Sequence, residues 1–373
     1  MIPVYQPHIG EAEKRYVADA MESTWISSKG PYLERFEREF SGFLGSQHGI
    51  ATCNGTVSIH VALAALGIGP GDEVIVPTLT YVASVNAIRY TGATPVFVDS
   101  EQDYWQLDPR LLEAAISPRT RAIEVVHLYG HPCDMDPILA IAKRHGIPVI
   151  EDAAEAHGAL YRGRKVGTLG KAGSFSFFGN KVITTGEGGM IVTDDPEFAG
   201  NCRHFRGQGV SPTRTYWHDV IGFNYRMTNI AAAIGCGQLE RIEDVIAAKR
   251  RLAGWYRDRL GNVAGVTFQK QAEWATAIWW MVSILVDPGQ RDALMLHLRE
   301  HGVDTRPFFY PAHTLPMYAG DRRFPVAERL GASGINLPSY PELTEAQVDE
   351  ICGRILEFLD NTPGVAVAIR RAE

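Results

Sequence analysis

The chain opens on two amphipathic stretches. "EKRYVADAM" (13–21) and "YLERFEREFSGFL" (32–44) set apolar residues three and four apart against a charged opposite face, which predicts two surface helices. "SIHVALAALGI" (58–68) reads as an apolar helix stopped by "GPGD". The pattern then alternates. "EVIVP" (73–77) is a buried strand, "YVASVNAIRY" (81–90) a helix and "TPVFVD" (94–99) a strand. "RAIEVVHL" (121–128) is a strand, "MDPILAIAKRHG" (135–146) a helix closed by Gly146, and "IPVIED" (147–152) a strand. "GSFSFF" and "GGMIVTD" predict two more strands. Apolar strands alternating with helices predict an α/β fold with a mostly parallel sheet covered on both faces. Ligands of such sheets collect at the carboxyl ends of the strands.

Residues 229–260 predict a long helix or helix pair. After it, "WMVSILV", "RDALMLHLREHG", "GINLP" and "EAQVDEICGRILEFL" predict a smaller α+β unit. A boundary near residue 250 divides the chain into a large α/β domain, 1–250, and a small C-terminal domain, 251–373. The tail "NTPGVAVAIRRAE" has no clear pattern and is expected to fray.

Composition narrows the function. The 373 residues carry a net charge of −7 and so no electrostatic footprint for nucleic acid. No apolar run approaches the roughly 20 residues that span a bilayer, so no membrane partner is expected. The first residues show no basic and apolar signal segment. Cys53, Cys133, Cys202, Cys236 and Cys352 are scattered and odd in number, without a CxxC pair, which suggests reduced thiols in a cytoplasmic protein and no metal site. GxxxxGK[ST], GxGxxG, HExxH and GxSxG are all missing, which argues against a P-loop NTPase, a dinucleotide dehydrogenase, a zinc protease and an α/β-hydrolase. The "NGT" at 54–56 is a sequon without a secretory context.

The candidate chemistry sits at strand ends. "SFSFFGNKVITTGEGGM" (174–190) carries two charges, Lys181 and Glu187. An unpaired buried ammonium is expensive, so Lys181 either reaches water or is buried because it reacts. Asp152 ends the strand "IPVIED", where it caps a following helix or faces a cation. Gly55 and Thr56 stand where a helix begins, a site for phosphate or a plain cap. Ser174 and Ser176, two apart on a strand, share a sheet face. Pyridoxal phosphate would use all of these at once: a lysine for its aldehyde, an anion for its ring nitrogen, amides and hydroxyls for its phosphate, and a flat side chain, Tyr81, against its ring.

Many ungapped blocks then carry a resemblance: "TWISSKGPYLERFEREF", "NGTVSIHVALAALGIGPGDEVIVPTLTYVASVNAI", "GATPVFVD", "VHLYGHPCDMD", "VIEDAAEAHGA", "SFSFFGNKVITTGEGGMIVT", "GFNYRMTNIAAAIGCGQL" and "TRPFFYPAH". Over nearly its whole length the chain resembles the DegT/DnrJ/EryC1/StrS sugar aminotransferases, a branch of the fold-type I pyridoxal-phosphate enzymes. The resemblance implies that Lys181 forms the Schiff base and that Asp152 faces the pyridinium. Glu155, where relatives often have glutamine, lies near the ring hydroxyl, and Tyr81 stacks on the ring. Gly55, Thr56 and Ser176 hold the phosphate, and Asn224 reaches it from a neighbouring subunit. It implies a homodimer with shared sites, or a tetramer built from one.

It also implies ping-pong transamination through pyridoxamine phosphate. L-Glutamate is released as 2-oxoglutarate, and the amino group passes to C4 of a nucleotide-linked 4-keto-6-deoxy sugar, GDP-4-keto-6-deoxymannose by the stretches "STWISSKG" and "YWHDVIGFNYRMTNIAAAIG". Trp25, Ser27, Ser28, Lys29, Arg226, Tyr310 and His313 are the candidates to hold that sugar nucleotide. Two rivals are a pyridoxamine-dependent 3-dehydratase, whose relatives carry histidine in place of the lysine, and a non-catalytic regulatory protein on the same scaffold. Lys181 argues against the first, and the full set of cofactor residues against the second.

Overall fold

The computed structural model describes residues 1–361; the tail that was expected to fray lies almost wholly outside them. Two amphipathic helices, α1 (Glu11–Glu22) and α2 (Pro31–Leu44), lead into β1 (His48–Thr52) and α3 (Gly55–Ala65). There follow β2 (Glu73–Pro77), α4 (Val82–Tyr90), β3 (Thr94–Val98), a short α5 (Pro109–Leu112), β4 (Thr120–Val126), α6 (Met135–His145) and β5 (Val149–Asp152). A small hairpin, β6 (Leu160–Tyr161) and β7 (Arg164–Lys165), precedes β8 (Ala172–Ser176), β9 (Gly189–Thr193) and α7 (Pro196–Arg206).

Seven of these strands form one sheet in the order β1-β9-β8-β5-β4-β2-β3. Its neighbours pair in parallel except at β9, which runs against both β1 and β8. The mostly parallel α/β sheet expected from the sequence is therefore what forms. α3 is apolar almost all round because it is buried: seven consecutive residues from Val57 to Leu63 are buried, and the helix packs between α4, α7 and the sheet. Gly146 closes α6 in the left-handed conformation at φ 65°, as its position after "AKRH" suggested.

The stretch 229–260 resolves into a pair, α8 (Asn229–Leu239) and α9 (Ile242–Leu260). Beyond it come β10 (Thr267–Phe268), β11 (Ala275–Thr276), β12 (Val282–Leu285), α10 (Arg291–Glu300), β13 (Arg306–Pro307), α11 (Pro325–Ser333), β14 (Gly334–Leu337) and α12 (Glu345–Asn361). Four of these strands make an antiparallel sheet, β10-β12-β14-β13. Residue 250 lies inside α9. That helix gives Ile242, Val245 and Ile246 to the core of the large sheet, and Leu252, Ala253, Tyr256 and Leu260 to the core of the small one. The first residues pack on the small sheet's side: Ile2 bridges Val303, and the Ser339 N–H donates to the Val4 carbonyl.

Candidate active site

The carboxyl ends of β4, β5 and β8 converge on a cavity of about 340 Å³, within the range of small-molecule sites. It is lined by Gly55, Thr56, Tyr81, Asp152, Glu155, Ser176 and Lys181, joined by Ser84, Trp280 and Phe309. Seven residues singled out from sequence, spread over more than 120 positions, thus meet in one place. Three strand ends and the N-terminus of α3 bring them there.

Lys181 follows the tight turn after β8, its N–H donating to the Phe178 carbonyl at 2.9 Å. The side chain is buried, with Nζ 4.1 Å from the centre of the Trp280 ring and 3.5 Å from Glu155 Oε1. Trp280 is itself fixed, because its Nε1–H donates to the Asn180 carbonyl at 2.7 Å. The hydroxyl of Tyr5 donates to the carbonyl of Lys181. The amine is therefore held from the backbone side and faces an indole and one carboxylate. Glu155 Oε2 accepts from the Tyr129 N–H at 2.9 Å. Burial raises the Glu155 pKa to about 7, against the opposing pull of Lys181.

Asp152 ends β5. No helix follows it, so the capping role has nothing to cap. Its Oδ2 accepts from the Ser84 hydroxyl at 2.8 Å and its Oδ1 from the Ala154 N–H at 3.0 Å. Burial raises its pKa, and these two donors and Lys181 lower it. A buried carboxylate placed this way calls for a cation beside it.

Behind Asp152 lies a second acid. Glu124 on β4 shares the sheet face of the cavity-lining Val126, two residues on. It is fully buried, and among the described residues neither carboxylate oxygen has a hydrogen-bond partner. Burial, and then the nearby Asp152, push its pKa well above the usual range. The folded chain therefore keeps a proton here that the unfolded chain releases above about pH 4.3. Stability drains as pH rises from there toward the folded-state pKa, at about 1.4 kcal/mol per pH unit. Glu124→Leu is expected to raise the melting temperature by on the order of 2 °C or more at pH 8, and by less at pH 5. Melting curves at the two pH values check it; an equal gain at both, or a loss, would refute the neutral-acid assignment.

Pyridoxal phosphate fits these residues. Asn54 caps α3, its side-chain oxygen accepting from the Val57 N–H at 3.0 Å, and the Gly55 and Thr56 amides have no carbonyl of their own helix to meet. A Cβ at Gly55 would sit 2.7 Å from the Cβ of Ser176, so only glycine lets the helix end approach that strand. The Phe178 N–H donates to Ser176 Oγ at 3.4 Å, which leaves the hydroxyl proton for an anion. Tyr81, half exposed, presents its ring over the cavity 5.3 Å from Phe309.

The remaining sequence candidates lie outside the lining. Trp25, Ser27 and Lys29 sit on an exposed loop, with Ser28 half-buried; Trp25 and Ser27 are tied to α8, their carbonyls accepting from Asn229 Nδ2 at 2.6 Å and Asn229 N–H at 2.6 Å. Asn224 is exposed and Arg226 half-buried on a segment beside the start of α3, where the Cys53 N–H donates to the Tyr225 carbonyl at 2.8 Å. Tyr310 is exposed. His313 is buried with both ring nitrogens engaged, by Thr78 Oγ1 at 2.7 Å and Glu328 Oε1 at 3.2 Å. Sequence reasoning missed Ser84, Tyr129, Trp280 and Phe309. Only Ser84, one turn from Tyr81 on a helix, carried a local signal.

The profile of the DegT/DnrJ/EryC1/StrS aminotransferase family matches residues 7–356. Among curated proteins, the GDP-perosamine synthase of Escherichia coli O157:H7 is 53% identical over 96% of this chain and 98% of its own. That of Caulobacter vibrioides is 49% identical over the same shares, 96% and 98%. Among solved structures, DesV of S. venezuelae is 38% identical and superposes with a TM-score of 0.88 over 93% of this chain and 94% of its own.

Proposed function

Because the chain belongs to the DegT/DnrJ/EryC1/StrS aminotransferase family and is a pyridoxal-phosphate-dependent sugar aminotransferase, we propose that it moves an amino group from L-glutamate to C4 of GDP-4-keto-6-deoxymannose, making GDP-perosamine. The observation that carries this reading is the cavity in which Lys181, Glu155, Asp152, Gly55, Thr56 and Ser176 converge. The 53% identity to a GDP-perosamine synthase supports the substrate.

Bound here, pyridoxal phosphate supplies an aldehyde that takes up amines and a ring that accepts an electron pair. The rest is the work of the chain. Lys181 Nζ would hold the cofactor; displaced by the donor amine, it would take the proton from the donor's α-carbon as a base and deliver it as an acid to the carbon that had carried the aldehyde. Glu155, beside that amine, holds the ammonium in place while it carries the proton. Asp152, braced by Ser84 and Ala154, keeps the ring nitrogen protonated. The amides of Gly55 and Thr56 and the Ser176 hydroxyl anchor the phosphate at the positive end of α3. Trp280 and Phe309 wall off water, which strengthens each of these charges.

Assay is direct. Purified enzyme with L-glutamate and GDP-4-keto-6-deoxymannose should yield 2-oxoglutarate and a 4-amino sugar in equal amounts. Amino sugar formed only from a dTDP- or UDP-linked ketone would refute the substrate and leave the transaminase intact.

The site is completed by a second copy. The cofactor phosphate carries close to two negative charges against about half a positive charge at one helix end, so further donors are needed. Asn224 is exposed and lies outside its own cavity lining, as a residue serving a partner would be. Nearby Val210, Tyr216, Trp217 and Ile221 expose large apolar side chains, which supports a covering subunit. Arg226, whose Nε is buried and unpartnered among the described residues, is our candidate to take the sugar nucleotide's diphosphate across that interface. Mixing inactive Lys181→Ala with inactive Asn224→Asp chains should recover roughly a quarter of wild-type activity, because half the dimers are hybrids with one intact site. No recovery, with hybrids seen by native mass spectrometry, would remove the shared site.

A further inference from the structure

Outside the lining of the active-site cavity, the small unit gathers a different set of ligands. His297 lies in the last turn of α10 and His301 caps it, four residues on and therefore on the same face. Their rings are 4.2 Å apart between centres. α12 packs against α10 and brings Glu357 alongside. One ring nitrogen of each histidine and one Glu357 carboxylate oxygen all lie within 4.8 Å of one another.

Three further details favour a metal over a plain surface cluster. First, His301 Nδ1 lies 2.8 Å from the His297 carbonyl. A carbonyl only accepts, so Nδ1 carries the proton and Nε2 keeps its lone pair free, the arrangement in which a backbone carbonyl orients a metal-binding imidazole. Second, His297 Nε2 is shielded from solvent and, among the described residues, has no hydrogen-bond partner. A buried polar nitrogen in that state lacks something to bind. Third, Arg354 Nη1 contacts one oxygen of Glu357 at 2.9 Å, and the other oxygen has no hydrogen-bond partner among the described residues.

We propose that His297, His301 and Glu357 form a divalent transition-metal site, suited to zinc, that cross-links α10 to α12. Two imidazoles and one carboxylate are the donors of zinc rather than of calcium or magnesium, which take oxygen ligands. Tetrahedral zinc with bonds of about 2.0–2.1 Å sets its ligands roughly 3.4 Å apart. Glu357 is exposed and its ion pair with Arg354 is weak, so its carboxylate is free to adjust toward an ion.

The test uses the cofactor-loaded enzyme, purified on a tag without histidine, stripped with EDTA and dialysed. Zinc chloride titrated into it by calorimetry should bind at one ion per chain and raise the melting temperature. The double variant His297→Ala/His301→Ala should lose that binding and that rise while keeping wild-type aminotransferase activity. Glu357→Gln should weaken zinc by about tenfold or more, since even an outer-shell partner of a metal site is worth that much. No stoichiometric zinc binding to the wild type would overturn the site. So would binding that the folded, active double variant retains.

Discussion

A Lys181→Ala chain is expected to fold, to bind pyridoxal phosphate, and to lose turnover by about 10⁴-fold or more, the scale on which removing a covalent nucleophile acts. The fold survives because the contacts that fix this turn are made by the backbone. The Lys181 N–H still donates to Phe178, its carbonyl still accepts from Tyr5, and the Trp280 indole is anchored on Asn180. Glu155 loses the ammonium that pulled its pKa down and takes up a proton, so no uncompensated charge is left buried. The chain has one rival for the role. Lys249 is also fully buried, and burial lowers its pKa to about 7. A lysine of that kind is a functional candidate on electrostatic grounds alone. Geometry decides against it: Lys249 Nζ donates to the Trp280 carbonyl at 3.0 Å and the Ser339 carbonyl at 2.7 Å, and it does not line the cavity. Borohydride should therefore fix the cofactor on the peptide holding Lys181 in the wild type, and on no peptide of the variant. Cofactor recovered on Lys249, or near wild-type turnover by Lys181→Ala, would sink the mechanism.

That contrast also shows what the sequence could and could not disclose. Periodicity located six of the seven strands of the large sheet, because strands buried on both faces are short, nearly continuous apolar runs bounded by glycine, proline and charge; it passed over β1, whose short "HGIAT" has a single large apolar residue. The polar residues that interrupt this logic at the strand ends, Asp152, Ser176 and Lys181, stood out for the same reason. What lay hidden was whatever acts across the chain. Trp280 is 99 residues from Lys181 and belongs to an apolar run with no mark of function. Tyr129 serves Glu155 by a backbone N–H that any residue but proline would supply. His313 suggested a ligand contact from its place in "YPAH", yet its partners are Thr78 and Glu328, and its own segment could not reveal them. Glu124 was passed over because one acid in "RAIEVVHL" does not disturb the strand pattern. Its isolation is visible only once the neighbouring strands are in place.

Asp152→Asn is expected to keep the fold and the cofactor and to lower kcat by on the order of 10²-fold or more, the scale of removing one preorganised charge from a water-excluded site. Asparagine has nearly the shape of aspartate. Its carbonyl can go on accepting from the Ala154 N–H, and its amide can donate to the Ser84 hydroxyl. That hydroxyl lies 2.9 Å from Thr80 Oγ1, so it can turn its own proton toward Thr80. The local network is reversed and not broken. What is lost is the negative charge that keeps the ring nitrogen protonated, and with it the ring's capacity to take up an electron pair. The damage should fall on kcat far more than on the KM for glutamate, because the charge matters most when electrons flow toward the ring. A second consequence follows behind the site. Asp152 is one of the two causes that hold Glu124 protonated, so in Asp152→Asn the loss of stability with rising pH should soften, since Glu124 no longer faces a second carboxylate. A structural role for Asp152 would give a different pair of results, with circular dichroism and melting temperature collapsing together with activity. A folded Asp152→Asn enzyme within about tenfold of wild-type kcat would show that the ring nitrogen does not depend on this carboxylate.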